Sequence, residues 1–153
     1  MYAGEIDHIC SKTFSLDIAT QSICTADKVP ASPQFYPAYY FVNICTSWES
    51  HLGGHWILIM HHGKYNIEYF DPLALPLSHY PECLINIIYT YTHNNLRVQN
   101  MQSFMCGQFC LYVALKRLSG ISLWDIQNQL LFYGSAKDDY IITYLCKMEN
   151  LTV

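Results

Sequence analysis

The amino-acid sequence predicts an α+β domain, with helices beside a small and mostly antiparallel central sheet. Helical segments come first, runs of strand character separated by a tight turn follow, and capped helices end the chain. The 153 residues are 52% hydrophobic and only 13% charged, which is typical of a folded chain with a sizeable core. A single domain, residues 1–153, accommodates this length.

The first half of the chain is predicted to contain two short helices and three strands. The helices are expected over residues 4–10 and 16–24, and the second helical region is broken at Pro30. Three runs rich in aromatic and β-branched side chains are predicted as strands, the last two separated at Gly63. These runs are residues 36–45, 55–62 and 64–70.

The second half is predicted to be largely helical. Residues 81–93 are expected to form a helix, because a proline suits a first helical turn, and residues 96–99 a short strand. Residues 107–119 carry the next helical pattern, which ends before Gly120. Two more helices are expected to begin at Ser122 and Ser135, since each serine stands three residues before an aspartate.

Charge, hydropathy and cysteine usage weigh against several classes of protein. The net charge of −4 gives no whole-chain reason to bind nucleic acid. No apolar run reaches the roughly 18 residues of a membrane-spanning helix, and the first residues do not resemble a signal peptide. We therefore expect neither a membrane protein nor a secreted one. Seven scattered cysteines, an odd number, favour reduced thiols.

Cys106 stands directly before the helix predicted over residues 107–119. The unpaired N–H groups and the positive dipole end at a helix start favour a thiolate over a thiol, and Gly107 permits close approach to the backbone. An isolated cysteine is more often a buried structural residue. The motifs around Cys106 favour a nucleophile instead.

His55 and Asp71 are candidates for a base and for the carboxylate that orients it. In a hairpin centred on Gly63, they lie eight residues before and eight residues after the glycine, and would be cross-strand neighbours. A carboxylate beside an imidazole fixes its tautomer and stabilises its charged form. The other histidines are assigned to ordinary core or surface positions.

Three further side chains near these residues are candidates for supporting roles. Gln99 or Gln102 could donate an amide N–H to an oxyanion, together with the backbone N–H of Cys106. The residue types alone leave both glutamines open. Trp56 follows the candidate base and is either a core aromatic or a shield for the pair.

A zinc site is a competing interpretation of two of the cysteines. Cys106 and Cys110 are one helical turn apart, and His51 and His55 could add two nitrogen ligands. The chain lacks the paired close spacings of structural zinc sites. No metal is therefore predicted.

Taken together, these motifs resemble the adenain family, the adenovirus-type maturation cysteine proteases, and more distantly the proteases that process SUMO and other ubiquitin-like proteins. The resemblance spans residues 40–120 and depends on the joint order and spacing of the motifs. Papain-like proteases, whose cysteine comes first, do not fit. The matching segments are Gly54-His55-Trp56, Phe70-Asp71-Pro72-Leu73 and Gln99-x6-Cys106-Gly107-x-Phe109-Cys110.

The resemblance implies a role for each matched residue in an adenain-type α+β fold, with the nucleophile at the start of a central helix. Cys106 would be the nucleophile, His55 the base and Asp71 the third member of a Cys-His-Asp triad. The spacing to the cysteine selects Gln99 over Gln102 as the oxyanion donor.

The resemblance also implies a substrate and a setting. The family cleaves after glycine, which implies a narrow groove, here walled by Trp56, and the expected substrates are viral capsid or core precursors cut during particle maturation. The protein would act as a monomer in the host nucleus or cytoplasm and in the virion. Two alternatives are a protease that deconjugates ubiquitin or SUMO, and a non-catalytic interaction module.

The chain departs from the family in three respects. Asp71 stands where adenoviral members often have glutamate, and no proline lies between Asn100 and Cys106 as in many relatives. Adenoviral enzymes are basic and use DNA and a peptide as cofactors, whereas this chain is acidic. Nothing in the sequence requires a cofactor, and its charge weighs against DNA. An activating peptide stays open, with Cys83 as the candidate for a disulfide to it.

Overall fold

The computed structural model describes residues 1–44, 54–80, 84, 91–100 and 103–150. Within these residues the predicted α+β class is confirmed in its coarse form, because helices and a five-stranded sheet are both present. No helix in this part of the chain is long and apolar enough to span a membrane.

The elements follow one another with short connections. The helices of the described residues are α1 (Ala3–Lys12), α2 (Phe14–Ala19), α3 (Cys106–Leu118), α4 (Leu123–Tyr133) and α5 (Lys137–Asn150). The strands are β1 (Thr20–Thr25), β2 (Ala38–Asn43), β3 (Trp56–Gly63), β4 (Asn66–Phe70) and β5 (Thr92–His93).

The sheet has the strand order β1-β2-β3-β4-β5 and is mixed. The central pairs β2–β3 and β3–β4 are antiparallel, whereas β1–β2 and β4–β5 are parallel. The prediction of a mostly antiparallel sheet is therefore wrong at both edges. Local hairpin reasoning recognises only sequential antiparallel neighbours, whereas parallel edge strands arise through longer crossovers.

Both faces of the central strands are buried, which explains their nearly unbroken apolar sequences. On one face, Phe41 and Leu58 pack with the helices in the larger core cluster. On the other face, Tyr40, Ile59 and Tyr69 pack in a second cluster with residues that follow β4. Helix α3 lies against the larger cluster and is almost wholly buried from Cys106 to Leu115.

Two predicted elements of the first half differ from the structure. The helix expected over residues 16–24 ends at Ala19, and the chain continues directly into β1. Thr20, Ile23 and Thr25 suit a strand, and pairing with β2 satisfies their backbone groups, so tertiary pairing outweighs the local helical pattern. The strand expected over residues 36–45 is confirmed over Ala38–Asn43, and its last residue lies outside the described residues.

The second half differs at three places. Residues 96–99 form no strand; instead the N–H groups of Val98 and Gln99 both donate to the Pro72 carbonyl, each at 3.0 Å. The helix expected over residues 81–93 lies mostly outside the described residues, and its last two residues are β5. Ser135 does not begin a helix, because it lies in the 3-10 turn Gly134–Ala136 that precedes α5.

Candidate active site

The Cys106 thiol lies at the first residue of α3, as the sequence predicts. Its Sγ accepts a hydrogen bond from the Trp56 N–H at 3.4 Å. Burial alone would raise the pKa of Cys106, but the His55 ring and the Trp56 N–H outweigh burial and lower it from 9.0. The thiol therefore lies where its ionised form is stabilised.

His55 and Asp71 are in direct contact, with His55 Nε2 2.5 Å from Asp71 Oδ1. His55 immediately precedes β3 and Asp71 immediately follows β4, so both lie at the open end of the hairpin. Since Nε2 faces the carboxylate, Nδ1 is the ring nitrogen left for the Cys106 sulfur. The sequence prediction that these two side chains meet is confirmed.

The register that brings them together is not the predicted one. Leu58 pairs with Phe70 and His61 with Ile67, so the hairpin is centred on Lys64 and not on Gly63. Continued in this register, Asp71 falls opposite the residue two positions after His55. A shift of two residues leaves every side chain on its original face, and diagonal neighbours are still within reach of a long side chain.

Asp71 is fully buried, and donors surround both of its carboxylate oxygens. Burial alone would raise the pKa of Asp71, but hydrogen bonds, that of His55 first, outweigh burial and hold it below 3.8. The Asn94 side chain also bonds the Asp71 backbone at both N–H (3.0 Å) and C=O (2.7 Å). Besides His55, the carboxylate accepts from Leu73 N at 2.8 Å, Leu75 N at 3.2 Å, Tyr69 Oη at 3.2 Å and Tyr80 Oη.

Sequence reasoning missed Tyr69, Tyr80 and Asn94. Tyr69 could have been found, because it stands two residues before Asp71 in the same strand pattern and therefore on the same face. Tyr80 and Asn94 reach the carboxylate through chain that leaves the sheet and returns, and no local pattern marks them. Tyr80 also stacks on the His55 ring, with centroids 6.3 Å apart and planes at 28°.

The opposing effects on His55 leave its ring favouring the charged form. Burial by itself would lower the pKa of His55, but hydrogen bonds to Asp71 and Cys106 and their charges raise it from 6.5 to about 9. The pKa of Cys106 is lowered and that of His55 is raised, so both shifts favour the pair of thiolate and imidazolium. Such a pair can supply a nucleophile and a proton donor to one reacting group.

Gln99 is buried, 5% exposed, and its backbone N–H donates to the carbonyl of Pro72, the residue after Asp71, at 3.0 Å. Its Nε2 donates to the Ser103 carbonyl at 2.6 Å. This bond uses one of the two N–H groups of the amide, and the other N–H can donate to a second acceptor. Within the described residues, Gln99 makes no hydrogen bond to Cys106. The rival Gln102 lies outside the described residues.

Trp56 is the first residue of β3 and is 3% exposed. Its indole N–H donates to the Met1 carbonyl at 2.8 Å. The Met1 side chain covers the start of α3 so closely that a Cβ on Gly107 would lie 2.8 Å from its sulfur. Beyond Trp56 opens a groove of about 550 Å³, lined also by Asn43 and Lys28.

The remaining candidate residues do not join the cluster of Cys106, His55 and Asp71. Cys110 is fully buried and its Sγ donates to the Trp56 carbonyl at 3.5 Å. Within the described part of the chain, no three histidine, cysteine, aspartate or glutamate side chains group as a metal site requires. Cys83 and His51 lie outside the described residues.

Comparison with known proteins adds no relative. No protein-family model matches the chain, and a search of curated proteins gives no significant match.

Proposed function

We propose that the protein is a cysteine endopeptidase of the adenain type that cleaves after glycine. One observation carries the proposal: the His55 imidazole, whose Nε2 lies 2.5 Å from the buried Asp71 carboxylate, directly precedes Trp56, whose N–H donates to the Cys106 sulfur at 3.4 Å. This is the arrangement that nucleophilic acyl transfer by a thiol requires. The order and spacing of the sequence motifs support the same assignment.

The reaction would proceed through an acyl-enzyme. The Cys106 thiolate attacks the peptide carbonyl carbon, and the oxyanion accepts hydrogen bonds from the Cys106 backbone N–H and the Gln99 amide. His55 gives its proton to the leaving amine as the C–N bond breaks. Water then attacks the thioester, His55 takes its proton, and the thiolate leaves the new carboxylic acid.

The proposed substrates are capsid or core precursor proteins of a virus or a virus-like mobile element. Trp56 bonds the Cys106 sulfur and Met1 packs against Gly107 at the start of α3; crowding of this kind favours a residue without a side chain before the scissile bond. We place the activity in the infected cell and the virion. The proposal allows for an activating peptide. It does not include DNA as a cofactor, because the net charge of the chain is −4.

Cleavage of defined peptides tests the proposal. Purified protein is offered peptides with Gly-Gly and Gly-x-Gly sites, their alanine-substituted counterparts, and ubiquitin and SUMO adducts. Cleavage after glycine that is lost in Cys106→Ala and kept in Cys146→Ala, a change at an exposed cysteine, is the expected result. Cleavage of the adducts alone would favour the deconjugating protease.

Thiol reactivity separates an enzyme from a non-catalytic module. We expect iodoacetamide to modify Cys106 faster than the exposed Cys146 at pH 7, because the His55 ring and the Trp56 N–H favour the Cys106 thiolate. If Cys106 reacts no faster than Cys146 and no peptide is cut, the enzymatic proposal is wrong.

A further inference from the structure

Ser103 occupies a junction between the candidate oxyanion donor, the nucleophile helix and α5. Its carbonyl accepts from Gln99 Nε2 at 2.6 Å. Its hydroxyl donates to Asp138 Oδ2 at 3.0 Å and accepts from the Met105 N–H at 3.3 Å. One short residue thus contacts the segment before Cys106, the amide of Gln99 and the first turn of α5.

We propose that Ser103 and Asp138 form a positioning link through which α5 holds the oxyanion donors in place. The inference rests on the proposed function of Cys106 and Gln99. Neither residue of the link is assigned any contact with substrate. Their role is to fix where the Gln99 amide and the backbone at the start of α3 point.

The ordinary explanation of Asp138 does not account for this contact. An acidic residue in the first turn of a helix interacts favourably with the helix dipole, but Asp138 and Asp139 both occupy that turn. Only Asp138 reaches across to Ser103. Asp139 is exposed and provides a matched control with the same charge on the same turn.

Two oxygen atoms at this junction, Asp138 Oδ1 and Gln99 Oε1, are buried without a hydrogen-bond partner among the described residues. Such atoms are rare in folded proteins. Both belong to residues that are bonded to Ser103, so the contacts of Ser103 are the ones that orient these two side chains.

The link acts on both proposed oxyanion donors. Holding one N–H of Gln99 on the Ser103 carbonyl fixes the plane of the amide, and so directs its second N–H. Holding the Met105 N–H on the Ser103 hydroxyl fixes the peptide segment that leads into Cys106, whose N–H is the other donor. Oxyanion stabilisation depends on donors that are already oriented before the reaction.

Kinetics of the link variants test the proposal on a glycine-containing peptide substrate. We expect Asp138→Ala and Ser103→Ala to lower kcat about tenfold with KM changed less than about twofold, because the loss falls on the transition state. Asp139→Ala should keep the wild-type kcat, and Ser103→Thr, which keeps a hydroxyl, should recover most of the loss. Equal kcat values in the Asp138 and Asp139 variants would overturn the proposal.

A double-mutant comparison distinguishes positioning from general damage. In a Gln99→Ala background, Asp138→Ala should lower kcat much less than in the wild type, because the Gln99 amide, one of the two donors that the link positions, is already absent. The pH profile of Cys106 alkylation should stay unchanged in Asp138→Ala, since the thiolate is stabilised by His55 and not by the link. An undiminished effect in the Gln99→Ala background would contradict the inference.

Hydrogen exchange tests the link even if the proposed function fails. Asp138→Ala should speed amide exchange in peptides covering residues 99–106, with no change in α1, whereas Asp139→Ala should leave both regions as in the wild type. Unaltered exchange at residues 99–106 would refute the link. Absence of cleavage by the wild-type protein, with faster exchange in Asp138→Ala, would refute the proposed function alone.

Discussion

The three candidate catalytic side chains are all removed from most solvent, and burial opposes the charge on each of them. Hydrogen bonds reverse this effect: those of His55 and Trp56 lower the pKa of Cys106, and those of Asp71 and Cys106 raise that of His55. Asp71 is the anchor, because its carboxylate is fully buried and its acceptors are satisfied by fixed donors. The charges on the thiol and the imidazole therefore depend on each other and on Asp71.

The pH dependence of Cys106 alkylation should report this coupling. The rate should rise as pH passes the lowered pKa of Cys106 and should change again near pH 9, where His55 loses its proton. Between these two values the thiolate and the imidazolium coexist. In His55→Ala the rise should move up toward the ordinary thiol pKa of 9.0, because the stabilising partner is gone.

The measurement is the rate of iodoacetamide modification of the Cys106 peptide between pH 4 and pH 10, by mass spectrometry. Cys146, on the same chain and exposed, serves as the internal reference. An identical Cys106 profile in wild type and His55→Ala would show that the two side chains do not interact.

Removing a tyrosine hydroxyl from Asp71 should destabilise the fold. Tyr80→Phe removes one donor from a buried carboxylate, and a hydrogen bond to a charged group contributes about 1.5–3 kcal/mol. Because the pKa of Asp71 is lowered in the folded state, the stabilisation is complete well above pH 3.8 and is lost as pH falls through the lowered value. The difference between wild type and variant should narrow accordingly in acid.

Urea denaturation at pH 7 and pH 3 measures both effects. Tyr65→Phe is the matched control, since Tyr65 is 88% exposed and should lose less than about 0.5 kcal/mol. Equal stability of the Tyr80 and Tyr65 variants at pH 7 would contradict the assigned role of the hydroxyl.

At the scale of elements, a helix start was predicted correctly where the capping serine and its hydrogen-bond partner both lie at the start of the same helix. Ser122 begins α4 as predicted, and its hydroxyl accepts from the Asp125 N–H at 3.1 Å. Ser135 has the same spacing to an aspartate, but the preceding helix ends at Tyr133 and the turn Gly134–Ala136 occupies the intervening residues. The Ser-x-x-Asp motif alone does not show that Ser135 lies in a turn that directly follows the preceding helix.

Alanine substitution at these two serines should therefore have unequal effects. Ser122→Ala removes a side-chain cap and should cost about 1 kcal/mol of stability. Ser135→Ala removes no cap and should be nearly neutral. Urea denaturation of both variants decides the matter, and an equal loss at the two positions would show that Ser135 caps α5 after all.

At the scale of the whole molecule, the candidate site is assembled from three separate parts of the sequence. The sequence predicted that His55, Asp71 and Cys106 belong together, although it centred the hairpin one residue early. That error did no harm, because a two-residue change of pairing keeps each side chain on its face. The partners that come from outside the hairpin, Tyr80 and Asn94, follow from tertiary packing and could not be predicted from local patterns.

Helix α3 connects this site to a second charged cluster at its other end. Arg117, eleven residues after Cys106 and so about 16 Å along the helix, donates through Nε to Glu68 Oε1 at 2.7 Å. His62 Nε2 lies 2.7 Å from the same oxygen. Because Glu68 and His62 belong to β4 and β3, this cluster fixes the C-terminal end of α3 against the sheet.

Arg117→Gln should therefore destabilise the protein by about 1–3 kcal/mol, between the values for exposed and for buried ion pairs. Burial would raise the pKa of Glu68, but its bonds to His62 and Arg117 lower it below 4.5, so the stabilisation is present above pH 4.5 and is lost as pH falls further. Arg97→Gln, the same change at an exposed arginine, should be nearly neutral. If both variants lose equal stability in urea at pH 7, or if the Arg117→Gln loss does not shrink in acid, the cluster does not stabilise α3 as inferred.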